Sequence, residues 1–225
     1  GMEDPRGQMA FQDGDVQCAA FRANRFAKSG SIARRCQECS RDIQEHARSA
    51  VSPEDVLRVL EANEALPSLI PTEEGGGRLY LGGWQAAMNE KFLTSADVGL
   101  VVSTAGGLAD FFPKFRPEPL YGRLGVEALA LGWEDSAAQQ IEAGELEAAS
   151  GKIAGCLSSG RSVLVHCAQG RSRSSTLVVA HLCRVSGAGA EESLRRVQQG
   201  RLMAQPNDSF MRQLRALYPG RERPA

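Results

Sequence analysis

The sequence predicts an α/β fold in which a central, mainly parallel sheet is flanked by helices. Two observations support this prediction. From residue 78 onward, short apolar runs of strand length, such as residues 98–102 and 162–166, alternate with segments that have the length and periodicity of helices. Strands that alternate with helices are typical of α/β domains with parallel strands.

The elements are assigned in order from length, periodicity and breaking residues. Strands are predicted at residues 79–81, 98–102 and 162–166, and helices at residues 84–93, 136–157, 176–183, 190–197 and 208–217. Residues 124–131 fit a strand or a helix on periodicity alone. The proline-broken stretch 111–121 is predicted to be a loop.

The domain organisation follows from a change in composition along the chain. Residues 1–50 are rich in Arg, Ala, Ser and Cys and have little apolar periodicity, so they are predicted to form an N-terminal Cys/His extension. Ser52 and Pro53 begin a predicted helix, and residues 51–76 form this helix and a Gly-rich linker. Residues 77–220 are predicted to form the catalytic domain, and residues 221–225 a tail.

Composition excludes several classes of function. The chain has 225 residues, of which 42% are hydrophobic and 24% charged, as in ordinary globular proteins. The net charge of −1 gives no case for nucleic-acid binding, and no apolar run approaches the roughly 20 residues that span a bilayer. The polar start is unlike a secretory signal, so a cytoplasmic location is expected, with the nucleus as an alternative. In such a reducing location the six cysteines are not expected to form structural disulfides.

The chemistry is predicted to lie where the run 162–166 gives way to an apolar helix, since ligand sites favour the carboxyl ends of strands. The sequence there is His166-Cys167-Ala168-Gln169-Gly170-Arg171-Ser172-Arg173-Ser174. Loop amides and the first turn of a helix can bind a dianion, and a guanidinium such as that of Arg173 grips two phosphate oxygens at once. These donors and the positive charge of Arg173 favour ionisation of Cys167. Its thiolate can then attack phosphorus as a nucleophile.

A structural alternative is that Cys167 is merely a small buried side chain and that the serines and arginines cap a helix. For a lone cysteine after a strand this alternative would be favoured. The combination of Cys167, Gly170, Arg173 and Ser174 at fixed offsets between an apolar strand and an apolar helix favours a phosphatase instead.

The segment from His166 to Ser174 resembles the loop of the protein tyrosine phosphatases, with cysteine and arginine separated by five residues. Residues 78–84, together with 200–201, 206–207 and 210–214, resemble the opening and closing segments of the dual-specificity branch. The resemblance covers about residues 77–218. It implies a compact fold with a mostly parallel sheet, and a shallow pocket that admits phosphoserine and phosphothreonine as well as phosphotyrosine.

The same resemblance assigns roles around the nucleophile Cys167. Ser174 would hydrogen-bond the sulfur and help it leave, and His166 would orient the cysteine from behind. The implied phosphate-binding residues are Ala168, Gln169, Gly170, Arg171, Ser172 and Arg173.

The leaving oxygen needs a proton, so an acid must stand across the pocket. Glu134 and Asp135 are the acidic candidates upstream. The position 32 residues before Cys167, and the run from Trp133 to Ser136, resemble the general-acid loop of the family, so Asp135 is chosen. The alternative is that Asp135 only caps a helix that begins near Ala137.

The expected substrates are phosphorylated proteins. Only Arg171 is basic among the variable loop positions, which argues against polyanionic phosphoinositides. Two alternatives remain at this point: a phosphoprotein-binding or scaffold module with weak or no catalysis, and a phosphatase for a non-protein phosphate ester. No nucleic-acid or membrane partner is expected.

Four residues of the extension are candidate ligands of a structural Cys3His zinc site, namely Cys18, Cys36, Cys39 and His46. A redox Cys-x-x-Cys pair and a disordered tail with incidental cysteines are the alternatives. Zinc is favoured because so small a segment lacks a core of its own. Its basic residues could contact an acidic protein partner. No cofactor is expected for catalysis.

Overall fold

The computed structural model of the chain describes residues 66–72 and 76–220. The predicted Cys/His extension, the helix predicted from Ser52 and the tail lie outside the described residues. In chain order the described elements are β1 (Ser68–Ile70), β2 (Leu79–Gly82), α1 (Trp84–Ala87), α2 (Glu90–Ser95), β3 (Val98–Ser103), α3 (Leu108–Phe111), α4 (Glu118–Leu124), β4 (Glu127–Ala130), α5 (Ala143–Ser158), β5 (Ser162–His166), α6 (Arg173–Ser186), α7 (Ala190–Gly200) and α8 (Asp208–Leu217).

The strands form one five-stranded sheet in the order β1-β2-β5-β3-β4. β1 pairs antiparallel with β2, whereas the other three pairings are parallel. Gly82, His166 and Ser103 lie side by side where their strands end. The predicted α/β class with a mainly parallel, helix-flanked sheet is therefore confirmed.

Alternate residues of the central strand β5 face two helical layers, as expected for a strand buried on both faces. Val163 and Val165 join the core formed with α5, α6, α7 and α8. Leu164 joins the second core, formed with α1, α2, α3 and α4. All three side chains are fully buried. Truncation of Leu164 to alanine is expected to cost about 2–5 kcal/mol of unfolding free energy.

Four of the five predicted helices differ in length from those observed. Helix 176–183 is extended by three residues at each end and helix 190–197 by three residues at its end, whereas the other two differ more strongly. The predicted helix 84–93 is two helices, because the side chain of Asn89 accepts a hydrogen bond from the amide of Phe92 and starts α2 anew. The predicted helix 136–157 begins only at Ala143, and residues 136–142 form an irregular segment. Composition rich in Ala, Glu and Gln therefore predicted the helix but not its start.

For three further segments the prediction from sequence was ambiguous, wrong or absent. The ambiguous stretch 124–131 contains strand β4. The stretch predicted as a loop contains the start of α4, for which Pro117 is the residue before the first helical position. Strand β1 was not predicted, since two prolines flank it. Among the described residues no helix is long and apolar enough to cross a membrane.

Candidate active site

The candidate site is the loop of residues 167–172, which joins the carboxyl end of β5 to the first turn of α6. β5 is the middle strand of the sheet, and it leads directly from the core to the loop. α6 is buried along almost its whole length, from Ser174 to Cys183. A buried strand and a buried helix thus hold the two ends of the loop.

Cys167 lies at the start of this loop with only 2% of its surface exposed. Its Sγ accepts hydrogen bonds from the amide of Gly170 at 3.3 Å and from the hydroxyl of Ser174 at 3.2 Å. Burial by itself raises the pKa of the Cys167 thiol. The hydroxyl and amide of Ser174, the charge of Arg173 and the amide of Arg171 outweigh burial and lower this pKa below its ordinary value. The site therefore favours a thiolate.

The carbonyl groups of the loop are all bound by the surrounding structure. Trp84 N–H donates to the carbonyl of Ala168, and Gln205 N–H donates to that of Arg171. The carbonyl of Ser172 accepts from Thr176 in α6. The amides of Gly170, Arg171 and Ser174 interact with the Cys167 sulfur. Backbone donors therefore converge at this end of the loop, as they do in an anion-binding nest.

Arg201 binds two further carbonyl groups of the loop. Its Nε donates to the oxygen of Gly170 at 2.7 Å, and its Nη2 donates to that of Gln169 at 2.9 Å. Its Nη1 donates to the hydroxyl of Ser68 in β1. The side chain is only 5% exposed, so its charge is buried together with these acceptors. Arg201 was not among the predicted site residues, although residues 200–201 were part of the family resemblance.

Gly170 shows why this loop needs a glycine. Its φ is +69°, in the left-handed region that favours glycine. A Cβ at this position would lie 2.4 Å from the backbone of Gly82. The loop thus packs directly against the end of β2.

Arg173 begins α6 and extends beside the loop. Its Nη1 donates to the carbonyl of Trp133 at 3.4 Å, and its Nε lies 3.8 Å from a carboxylate oxygen of Asp135. That Nε is buried and has no hydrogen-bond partner within the described ranges. The guanidinium is therefore held in orientation while donor capacity remains for phosphate oxygens.

Asp135 is held beside the loop by two neutral donors. Its Oδ1 accepts from the hydroxyl of Ser172 at 2.7 Å and from Nδ2 of the Asn207 side chain at 2.9 Å. The side chain is 40% exposed, so it can reach a substrate as well. The alternative that Asp135 caps a helix near Ala137 is wrong, because the helix begins only at Ala143, eight residues after Asp135.

His166 lies behind the nucleophile and is 1% exposed. Its Nδ1 lies 3.3 Å from the carbonyl of Cys167, and the ring packs against Phe115 at a centroid distance of 5.7 Å. Burial lowers the pKa of His166 to about 4, partly offset by the hydrogen bond to the Cys167 carbonyl. The imidazole is therefore neutral at physiological pH.

The sequence-predicted residues thus divide into two sets. Cys167, Asp135, Arg173 and Ser174 meet around the loop, with His166 behind it. The candidate zinc ligands lie outside the described residues, and no cluster of metal-ligating side chains occurs in the part of the chain that the structure describes. The sequence did not predict three sets of contacts. These are the bonds from Arg201 to the loop carbonyls, and the hydrogen bonds from Ser172 and Asn207 to Asp135.

Comparisons with known proteins agree with this geometry. The family described as "Dual specificity phosphatase, catalytic domain" matches residues 79–219. This chain belongs to the dual specificity phosphatase catalytic domain family. The matched range contains the loop between β5 and α6, Asp135, and the residues Arg201 and Asn207 that flank the last two helices.

Individual members of the family are similar over much of the chain. Tyrosine-protein phosphatase yvh1 of Schizosaccharomyces pombe is 30% identical over 80% of this chain and 52% of its own length. Dual specificity protein phosphatase 1 of Arabidopsis thaliana is 34% identical over 69% of this chain and 70% of its own length. The crystal structure of human DUSP28 is 26% identical, with a TM-score of 0.57 over 68% of this chain and 94% of that chain. The chain thus spans about half the length of the fission yeast relative.

Proposed function

We propose that this dual specificity phosphatase domain hydrolyses phosphate monoesters on phosphotyrosine and on phosphoserine or phosphothreonine proteins. The observation that carries the proposal is the buried Cys167 sulfur, which accepts hydrogen bonds from Gly170 and Ser174 next to the Arg173 guanidinium. The names of the relatives, which are tyrosine and dual specificity phosphatases, support the same reaction class.

In the first half-reaction the Cys167 thiolate attacks phosphorus, and the bond from phosphorus to the ester oxygen breaks. Loop amides and Arg173 bind the equatorial oxygens and stabilise the charge that they carry in the transition state. Asp135 gives its proton to the leaving oxygen, so the departing group is a neutral alcohol or phenol.

In the second half-reaction water attacks the phosphocysteine, and Asp135 takes the proton of that water. The sulfur leaves as a thiolate, which the Ser174 hydroxyl stabilises through the hydrogen bond seen at 3.2 Å. The products are inorganic phosphate and the regenerated enzyme. Asp135 thus returns to its protonated form, ready for the next substrate.

Hydrolysis of phenyl phosphate by the full chain and by two variants tests this proposal. Cys167→Ser removes the nucleophile and is expected to abolish turnover. Asp135→Asn is expected to lower kcat about 10²–10⁴-fold on this basic leaving group, because its proton donor is lost. Glu134→Gln is the matched control, since Glu134 is exposed and its side chain is not part of the loop contacts described above. Full activity of Cys167→Ser would contradict the mechanism, and a larger loss in Glu134→Gln would reassign the acid.

Phosphorylated proteins are proposed as substrates over phosphoinositides because Arg171 is the only basic side chain at the variable loop positions. Release of phosphate from tyrosine-, serine- and threonine-phosphorylated peptides tests the breadth of the specificity. A preference for a phosphoinositide or an RNA 5′-phosphate over all three peptides would contradict this part of the proposal.

For the N-terminal extension, structural zinc held by Cys18, Cys36, Cys39 and His46 stays a proposal supported by the residue types. Metal analysis of protein purified without chelators is expected to give near one zinc per chain. The Cys36→Ser, Cys39→Ser double variant is expected to lose it. Zinc-free wild-type protein would contradict the proposal. A cytoplasmic location, with the nucleus as the alternative, and an acidic protein partner for the extension likewise stay predictions.

A further inference from the structure

Trp133 connects helix α5 to both the candidate acid and the guanidinium of Arg173. Its side chain is 2% exposed, and its indole Nε1 donates a hydrogen bond to Oε2 of Glu145, in the first turn of α5, at 2.6 Å. Its carbonyl oxygen accepts from Nη1 of Arg173 at 3.4 Å, and Asp135 follows two residues later. A shift of Trp133 therefore changes the placement of both groups.

The bond to Glu145 fixes the angle of the indole ring. The ring lies in the main core and packs against Phe210 at a centroid distance of 6.1 Å. Apolar packing is non-directional, whereas an N–H group must point at its acceptor. Indole Nε1 can only donate, and a buried donor without an acceptor is costly. The carboxylate of Glu145 therefore selects one orientation of Trp133.

The same bond closes the segment that carries Asp135. It joins residues 12 positions apart, and residues 136–142 between them are irregular. A contact at the base of an irregular segment reduces the number of conformations that the segment can adopt. Ser172 and Asn207 bind the Asp135 carboxylate itself, whereas the bond to Glu145 restrains the backbone that carries this carboxylate.

We propose that Glu145 is a positioning residue of the phosphatase reaction and acts through Trp133 on Asp135 and Arg173. The proposal rests on the proposed function, because it keeps for Asp135 and Arg173 the roles given above. In this role the Glu145 carboxylate exchanges no proton with the substrate and only holds the indole in place.

A purely structural role for Glu145 has a matched control in Glu142. An acidic side chain in the first turn stabilises a helix through the helix dipole, whatever else it contacts. Glu142 is the N-cap residue of the same helix, is exposed and makes no capping hydrogen bond with its side chain. Glu142→Ala therefore removes a charge from the same helix start and leaves the bond to Trp133 intact.

Nuclear magnetic resonance follows the bond itself, without turnover. The sequence contains two tryptophans, so the full chain labelled with ¹⁵N-tryptophan gives two indole N–H signals, and Trp84→Phe assigns them. In Glu145→Ala the Trp133 indole proton should move upfield, because it loses a short bond to a carboxylate. Glu145→Gln keeps an acceptor and should move the signal less, and Glu142→Ala should not move it.

Two further measurements report the effect on the site. Glu145→Ala should lower kcat/KM about tenfold for phenyl phosphate but only about threefold for para-nitrophenyl phosphate, whose leaving group needs little protonation. The affinity for orthovanadate should also fall about threefold, because the guanidinium of Arg173 is less well oriented. Glu145→Gln should recover most of each loss, and Glu142→Ala should stay within about twofold of the wild type.

Trp133→Phe tests the same bond from its other end, because it removes the indole donor and keeps an aromatic ring in the core. If Glu145 acts through Trp133, Glu145→Ala should add less than about twofold to the effect of Trp133→Phe on kcat/KM for phenyl phosphate. A further tenfold loss in the double variant would mean that Glu145 acts by another route, and would overturn the proposal.

The proposal is also overturned if Glu145→Ala moves the indole signal but leaves the orthovanadate affinity and the ratio of the two esters unchanged. Equal effects of Glu142→Ala and Glu145→Ala would overturn it as well, since they would reduce Glu145 to a helix-stabilising charge. A wild-type chain that hydrolyses neither ester, together with weaker orthovanadate binding in Glu145→Ala, would contradict the proposed function and keep the link from Glu145 to Arg173.

Discussion

The Nε atom of Arg201 donates to the carbonyl oxygen of Gly170 across 2.7 Å, which ties the segment after α7 to the catalytic loop. A second bond from the same guanidinium reaches Gln169. Arg201 thus fixes the orientation of two loop carbonyls next to Cys167. Peptide planes fixed in this way keep their amides available for an anion such as phosphate.

Arg201→Met is expected to weaken phosphate binding and to destabilise the fold. Two buried carbonyl groups lose a charged donor, which costs about 2–4 kcal/mol of unfolding free energy. The KM for para-nitrophenyl phosphate and the inhibition constant of orthovanadate should both rise, because the amides are no longer held in place. Urea denaturation and steady-state kinetics measure the two effects.

Ser68→Ala is the matched control for Arg201. It removes only the third contact of the guanidinium, at β1, and keeps both loop carbonyls satisfied. Its KM should stay within about twofold of the wild type, since the loop is untouched. Equal effects of the two substitutions on KM would mean that Arg201 acts through the strand and not through the loop.

The Ser174 hydroxyl is expected to help keep Cys167 ionised. The pKa of Cys167 lies below its ordinary value because hydrogen bonds from Ser174 and the charge of Arg173 outweigh burial. Alkylation by iodoacetamide should therefore reach half its maximal rate below the pH of about 8.5 at which a free cysteine does so.

Ser174→Ala should move that half-maximal pH upward, because the thiolate loses a donor at 3.2 Å. Ser175→Ala is the control, as Ser175 is also fully buried in α6 and its hydroxyl has no hydrogen-bond partner among the described residues. An unchanged profile in Ser174→Ala would show that the loop amides and Arg173 suffice to ionise Cys167.

Acid should destabilise the fold through His166. Its pKa falls from 6.5 to about 4 because it is buried, so the unfolded chain takes up the proton first as pH decreases. The contribution of neutral His166 to stability is fully present above pH 6.5 and is lost as pH falls through this window towards 4. Between pH 7 and pH 4.5 the loss is about 2–3 kcal/mol.

Urea denaturation at the two pH values measures this loss. His166→Asn removes the titrating ring, so its unfolding free energy should fall less over the same interval, by about that amount. A wild-type protein and a His166→Asn protein with the same pH dependence would contradict the assignment of a neutral, buried His166.

The fold class and most of the site could be predicted because both depend on local sequence. Strand β5 and helix α8 have the predicted bounds, since apolar runs and an Asn cap mark them. The start of α5 could not be predicted, because residues 136–142 have helical composition but make tertiary contacts, such as that of the Ile141 amide with Gln213. Long-range packing overrides propensity there.

The contacts that orient the loop and Asp135 could not be predicted for the same reason. Arg201 binds residues 31 and 32 positions earlier in the chain, and Asn207 binds Asp135 from 72 positions later. A polar residue in an amphipathic sequence is more often solvent-exposed than buried. The sequence therefore identified the residues that carry the chemistry, and the fold identified those that orient them.

Asn207 joins helix capping to the candidate acid, and two substitutions can separate these roles. Its Oδ1 accepts from the amide of Phe210 and caps α8, while its Nδ2 donates to Asp135 at 2.9 Å. Asn207→Asp keeps an acceptor for the cap but loses the donor. Asn207→Ala loses both.

Both variants should lower kcat for phenyl phosphate, by about tenfold or more, because the carboxyl group of Asp135 loses one of the two donors that orient it at the loop. Only Asn207→Ala should also lose the cap, at about 1 kcal/mol of unfolding free energy. Turnover of para-nitrophenyl phosphate should fall less, since its leaving group needs little protonation. If Asn207→Asp were as active as the wild type on phenyl phosphate, the bond from Nδ2 to Asp135 would have no part in positioning the acid, and the hydroxyl of Ser172 alone would hold it.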